Sequence, residues 1–285
     1  MAAVLFALLA MVLWGFEELF LKKAISGMKS MTTLLINTIV GILVVACFVL
    51  LFLDGFSWLS GVDLWLVLIA AVTSFFGYFF LYKALEAQKL SLIASLDESW
   101  IIISVVIAIV LFAELPSFLQ VSAIFLVISG AFLVSVNFRS IGGIKLLSGA
   151  GFEFASLVFT GITVPLEKVV VQRVGEANAI IYIAVLVLPL IFLARFVTAE
   201  RFVRPTWDLA RIAAWSGVFD GTAFALYLLA LNKLSVAVVA PIIASSVVVS
   251  LVLARIYLKE KMTPKEIVGA GLILAGVVIL SIRYG

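Results

Sequence analysis

Glu17, Glu18, Asp97, Glu98 and Asp220 stand in stretches otherwise built from leucine, valine, phenylalanine and alanine. An ionised side chain at the centre of a bilayer costs at least about 2.5–3.5 kcal/mol. Residues kept there at that cost face a water-lined cavity, where they exchange protons or meet a cation. Asp97 and Glu98 are the strongest such pair. Adjacent carboxylates in a low-dielectric cleft compete, so one of them can take up a proton near neutral pH. The competing reading is a wet interfacial position. Asp220 is the most isolated charge, inside Val218-Phe219-Asp220-Gly221-Thr222, where Gly217 and Gly221 permit close backbone approach. For Glu17 and Glu18 two readings stand side by side. Glu18 has the i,i+4 spacing for an interfacial pair with Lys22, which Glu17 lacks. Adjacent helical residues also diverge by about 100°, so one can pair while the other faces a cavity.

Trp14, Tyr78, Tyr82, Trp100 and Tyr227 offer aromatic faces to a bound molecule, whereas Trp58, Trp65, Trp207 and Trp215 read as interfacial anchors. Ser91, Ser95 and Ser99 recur at every fourth position, and Pro241, Ser245 and Ser246 occupy the matching stretch further on. Small and hydroxyl residues at that spacing serve helix packing or a cavity wall; Ser245 is kept as a candidate for the second. Pro241 removes a backbone donor and frees a carbonyl, so a kink or local opening is expected there. Glu153 is expected near a membrane face, and Glu167-Lys168, after Pro165, as a charged pair at a helix terminus. Arg195 and Arg255 are expected near helix ends with their charged heads at the interface.

Composition excludes several other chemistries. There is no histidine and one cysteine, Cys47, in an apolar run. That removes an internal disulfide, a thiolate zinc site, the commonest general base and the usual partner of a nucleophilic serine. The net charge is +3, and no stretch interleaves basic and aromatic residues as nucleic-acid binding needs. No nucleotide-binding glycine-lysine loop is present. No cofactor is expected. An intramembrane enzyme without histidine would need a Ser–Lys site or a carboxylate pair such as Asp97 with Asp220, and a channel would need a repeated filter-like loop, which the sequence lacks. The expectation is a protein that is not an enzyme. Its partners are the lipid bilayer, a small-molecule substrate and protons as a coupling ion.

The elements that position these residues follow from hydropathy. The 285 residues are 65% hydrophobic and 12% charged, with mean hydropathy +1.33, far from the soluble average of about half apolar and a quarter charged. About 20 apolar residues cross a bilayer. Ten segments qualify: 4–21, 32–53, 65–84, 91–113, 118–136, 149–171, 178–198, 212–231, 236–258 and 265–282. Residues 1–13 lack a basic leader and a small-residue cleavage site, so they read as part of the first span.

The sequence also repeats at an offset of 146 without gaps. Gly15, Lys22 and Ala84-Leu85 align with Gly161, Lys168 and Ala230-Leu231. Ser99, Ser104, Glu114, Gly130 and Ser135 align with Ser245, Ser250, Glu260, Gly276 and Ser281. Two copies of five spans, at 1–139 and 147–285, predict opposite insertion, because five is odd. The expected fold class is therefore an all-α polytopic membrane protein, with ten transmembrane helices arranged as two inverted five-helix repeats. All of the 19 lysines and arginines except Lys168, Arg173, Lys233 and Arg283 fall in loops after odd-numbered spans. This favours termini outside a cell membrane.

Several stretches resemble the drug/metabolite transporter superfamily, specifically its EamA-like branch. They are Trp14-Gly15, Tyr82-Lys83-Ala84-Leu85 with Ser91-Leu92-Ile93-Ala94, and their second-copy match Leu228-Leu229-Ala230-Leu231 with Ala237 to Pro241. Phe112-Ala113-Glu114-Leu115 with Gly130, and Tyr257 to Lys261 with Gly269 and Gly276, complete the likeness. The resemblance implies a ten-helix secondary carrier, an exporter of amino acids, related small metabolites or amphipathic and cationic compounds. Its cavity would lie between the halves, lined by the first, third, fourth, sixth, eighth and ninth spans. Where the second copy has Pro241 the first has Ser95, followed by Asp97-Glu98, a departure from the family pattern. Glu114 and Glu260 read as scaffold, beside capping boxes at Ser117/Gln120 and Thr263/Glu266.

Overall fold

Helix is the only regular secondary structure among the described residues of the computed structural model, which are 2–87, 99–113, 115–135, 150–198, 200–257 and 263–284. In hydrocarbon each backbone N–H and C=O must be satisfied within its own segment, and a helix does this. The helices are α1 (Ala2–Met28), α2 (Ser30–Phe52), α3 (Gly61–Ala87), α4 (Trp100–Phe112), α5 (Phe118–Ser135), α6 (Ala150–Val174), α7 (Glu176–Thr198), α8 (Trp207–Lys233), α9 (Val236–Ala244), α10 (Ser246–Tyr257) and α11 (Pro264–Tyr284). Among the described residues seven helical stretches are long and apolar enough to cross a membrane, one of them running through the α9–α10 junction. Trp100–Phe112, Phe118–Leu133 and Ile267–Ile282 are shorter apolar helices. Leu50, Phe118, Phe125 and Trp58 point outward from the bundle, as side chains do when lipid is the solvent. The chain is a multi-pass membrane protein.

The offset of 146 reappears as geometry. Gly15 on α1 lies against Val249 and the Ser246 carbonyl on α10, and Gly161 on α6 lies against Ile103 and the Trp100 carbonyl on α4. Every one of these pairs maps onto the other by the same offset. The Ser250 hydroxyl donates to the Gly15 carbonyl at 3.1 Å, and the Ser104 hydroxyl donates to the Gly161 carbonyl at 2.9 Å. Each half thus lends its first helix to the other half's fourth. Gly130 meets Gly269 and Ile273, while Gly276 meets Ala123 and Val127. Contacts that advance on α5 as they retreat on α11 mean that these equivalent helices run antiparallel.

Three prolines sit inside helices, at 165, 189 and 241. Pro165 continues α6 because the carbonyl its ring deprives of a donor, Gly161, is the one Ser104 serves. Pro241 precedes a break. The Ser245 N–H turns back to the carbonyls of Ile242 and Ile243, so the Pro241 carbonyl receives the Ser245 hydroxyl instead, at 2.7 Å. The predicted ninth span is consequently two helices. The Ser117/Gln120 capping box is formed in both directions, at 2.7 and 3.3 Å. Asp97, Glu98, Glu114, Glu260, Ser91 and Ser95 lie outside the described residues.

Candidate functional site

α1 carries Trp14, Glu17 and Glu18 within one turn and a half, and α8 runs beside it. Gly217 and Gly221 bring α8 against Asn37 and Gly41 of α2. This close approach seats the Ser216 hydroxyl 3.0 Å from Glu17 Oε1, with Asn37 Nδ2 donating to the Ser216 Oγ at 2.9 Å and facing Glu17 Oε1 at 3.5 Å. One turn along α8, Asp220 Oδ1 accepts from Trp14 Nε1 at 3.0 Å and from the Tyr78 hydroxyl at 3.3 Å. Glu17 on α1 and Asp220 on α8 are therefore both held by neutral donors, at neighbouring turns of α8. The indole N–H can only donate, which suits a carboxylate and not a metal ion. Among the described residues no group of three or more Asp, Glu, His or Cys side chains gathers as metal ligands would.

A cavity of about 170 Å³ opens between the halves. Its wall is drawn from α1, α3, α4, α6, α8 and the α9–α10 junction. It contains the carboxylates of Glu17, Glu18 and Glu167, the aromatic faces of Trp14, Tyr78, Trp100, Phe224 and Tyr227, and the hydroxyl residues Ser74, Thr160, Thr163 and Ser246. No lysine or arginine lines it among the described residues. The Tyr227 hydroxyl donates to Glu167 Oε2 at 2.9 Å, and the rings of Trp14 and Tyr227 meet at 5.4 Å. Glu18 Oε1 and Oε2 accept from the hydroxyls of Ser246 and Ser250 at 3.1 and 2.5 Å. A smaller cavity of about 50 Å³ adjoins the first, shares Ser74, Tyr78 and Phe224 with it, and has Asn37 and Asp220 in its wall.

The sequence candidates thus divide. Trp14, Glu17, Glu18, Tyr78, Trp100 and Tyr227 line the main cavity, and Asp220 lines the adjoining one. Tyr82 is buried in a cluster with Leu21 and Leu85 and reaches neither cavity. Ser245 is fully buried with its hydroxyl spent on Pro241; its neighbour Ser246 faces the cavity in its place. Glu18 turns toward α10, and Lys22 Nζ donates to the Leu85 carbonyl at 3.1 Å. Glu167-Lys168 is not at a terminus. It sits inside α6, where Glu167 faces the cavity and Lys168 Nζ reaches the Leu234 carbonyl at 3.1 Å. Glu153, expected near a membrane face, is wholly buried in the first turn of α6. The sequence does carry a signal for Glu167. The offset of 146 maps Glu17 and Leu21, one turn apart on α1, onto Thr163 and Glu167, so Glu167 shares the face that Glu17 uses in its own half.

The model of the EamA-like transporter family matches residues 1–136 and 147–282. One crystal structure, titled only as that of a protein, superposes with a TM-score of 0.82 at 17% identity, covering 99% of this chain and 98% of that one, which shows a shared fold. No curated protein matches in sequence.

Proposed function

This chain belongs to the EamA-like transporter family, and we propose that it is a secondary-active carrier that exports small amphipathic organic cations across the cell membrane. In this reading ten spans form two oppositely inserted halves of five, over 1–139 and 147–285, with both termini outside. The halves rock to expose a midplane cavity to each face in turn. The antiparallel meeting of α5 and α11 and the exchanged contacts of Gly15 and Gly161 support the inverted arrangement. The observation that carries the substrate class is the wall itself: the carboxylates of Glu17, Glu18 and Glu167 stand among aromatic faces, and among the described residues no lysine or arginine lines the cavity. In a low-dielectric site such carboxylates attract an ammonium, and ring faces hold the cation and its apolar body. Protons are the coupling ion, carried by the Glu17 and Asp220 carboxylates.

The test is counterflow of labelled tryptamine, an aromatic monocation, in proteoliposomes. Glu17→Gln and Glu167→Gln are each expected to lower it by at least about tenfold, the factor that corresponds to about 1.4 kcal/mol of lost interaction. The anion indole-3-acetate is not carried. Unaltered counterflow in both variants, or preference for the anion, removes the cation reading.

A further inference from the structure

We propose that Glu18, Ser246 and Ser250 form a latch that a cationic substrate releases, so that filling the cavity loosens the contact between α1 and α10 and leaves its two-fold counterpart closed. The inference rests on the cation-carrier reading above. Three observations meet at this place. Both oxygens of Glu18 are engaged by hydroxyls of α10, at 3.1 Å from Ser246 and 2.5 Å from Ser250. Those serines are one turn apart and share a face, and Ser246 is the first residue of its helix, where unsatisfied N–H groups favour a nearby negative charge.

The helix is also interrupted immediately before them. Because the Ser245 N–H bonds back to Ile242 and Ile243, α10 can shift relative to α9 without breaking a continuous hydrogen-bond ladder. Last, Glu18 and Ser246 line the cavity together, so a cation that enters it meets the latch carboxylate directly. An ammonium brings a full positive charge to the Glu18 carboxylate, an attraction that the neutral hydroxyls cannot match in a low-dielectric site. Taking Glu18 from the serines supplies the differential affinity that a ligand needs in order to shift a conformational equilibrium.

The counterpart contact has no such device. The offset of 146 places Val164 where Glu18 stands and Trp100 where Ser246 stands. Only Ser104 is retained, and it donates to the Gly161 carbonyl. The latch therefore acts on one side of the two-fold relation.

The experiment measures both contacts in the full chain, with Cys47→Ala as background and spin labels at exposed positions. Leu9 with Val252 spans α1 and α10, and Phe154 with Val106 spans α6 and α4. Tryptamine is expected to lengthen and broaden the first distance distribution and to leave the second unchanged. The neutral analogue indole-3-ethanol does neither. Ser246→Ala/Ser250→Ala shows the lengthened first distribution without ligand and binds tryptamine about tenfold tighter, since no latch remains to be broken. Glu18→Gln keeps the resting distribution, because its amide oxygen still accepts a hydroxyl, but loses the response to tryptamine. An unchanged first distribution in ligand-free Ser246→Ala/Ser250→Ala overturns the latch, and so does equal lengthening of both contacts. Failure of the parent protein to bind tryptamine would instead sink the cation reading, with the ligand-free variant still deciding on the latch.

Discussion

The contact of α1 with α10 and the contact of α6 with α4 are one arrangement made twice, and their polar groups do different work. Each sets a glycine against a β-branched side chain, Gly15 on Val249 and Gly161 on Ile103, and each directs a serine hydroxyl at that glycine's carbonyl. In α6, Pro165 has no N–H for the Gly161 carbonyl, so Ser104 is the donor that replaces it. In α1 the corresponding residue is Leu19, whose own N–H serves Gly15 within the helix. The single proton of Ser250 then has a choice of acceptors: Glu18 at 2.5 Å, the Gly15 carbonyl at 3.1 Å and the Ser246 carbonyl at 3.3 Å. One proline thus decides whether the shared geometry of a duplicated contact is spent on repairing a helix or left over for a carboxylate in the cavity.

The steric part of the comparison gives the largest expected effects. Gly15→Ala would place its Cβ against the Val249 Cβ, and Gly161→Ala against the Ile103 Cβ, at 2.6 Å for the latter. Neither obstacle is the free end of a flexible chain, so each variant is expected to lose stability toward the upper end of about 1–3 kcal/mol, read as thermal unfolding in detergent. Equal losses mean that packing is symmetric and the polar groups alone distinguish the two contacts. A tolerated alanine at one glycine would place the asymmetry in packing.

Next come the serines. Ser104→Ala leaves the Gly161 carbonyl without a donor in an apolar interior, at a cost of about 1–3 kcal/mol. Ser250→Ala leaves the Gly15 carbonyl bonded to Leu19 and Glu18 bonded to Ser246, so it loses only the net value of one bond, about 0.5–1.5 kcal/mol. The sharper form is a cycle. Pro165→Ala restores the missing N–H, so Ser104→Ala in that background should cost much less than alone. Additive losses would show that Ser104 does not act through the Gly161 carbonyl.

These residues also show what the sequence made legible. Glycine and serine are informative in hydrocarbon because few positions tolerate them for their own sake. Their agreement at a fixed offset marked Gly15, Gly161, Ser104 and Ser250 as equivalent, and they prove to touch across the halves. Rotation about each helix was harder to read. These helices are apolar nearly all round, so no polar face fixes which way a side chain points, and one residue is a turn of about 100°. Ser245 and Ser246 are separated by that one step, as are Leu81, which lines the cavity, and Tyr82, which does not. Glu167 is hard to place from the sequence for a different reason. Pro165 reads locally as a terminus, and the donor that lets α6 continue comes from Ser104, a residue on another helix in the other half.

The smallest effect belongs to charge outside these contacts. Arg173 at the end of α6 pairs with Asp63 at the start of α3, with side chains 53% and 38% exposed. The positions related to them by the offset are Gly27 and Leu209, which also touch, so here too an equivalent contact has acquired charge on one side only. By counting charges alone, this pair would be credited with the difference between the halves. Its exposure argues otherwise, because such pairs contribute about 0–1 kcal/mol and are screened within about 3 Å at 1 M salt. Asp63→Asn is expected to shift the unfolding temperature less than Ser250→Ala does, to lose even that shift in 1 M salt, and to leave tryptamine counterflow unchanged. If it instead destabilises more than Ser104→Ala, or keeps its effect in high salt, the asymmetry that matters lies at the membrane face and not in the buried contacts of Gly15 and Gly161.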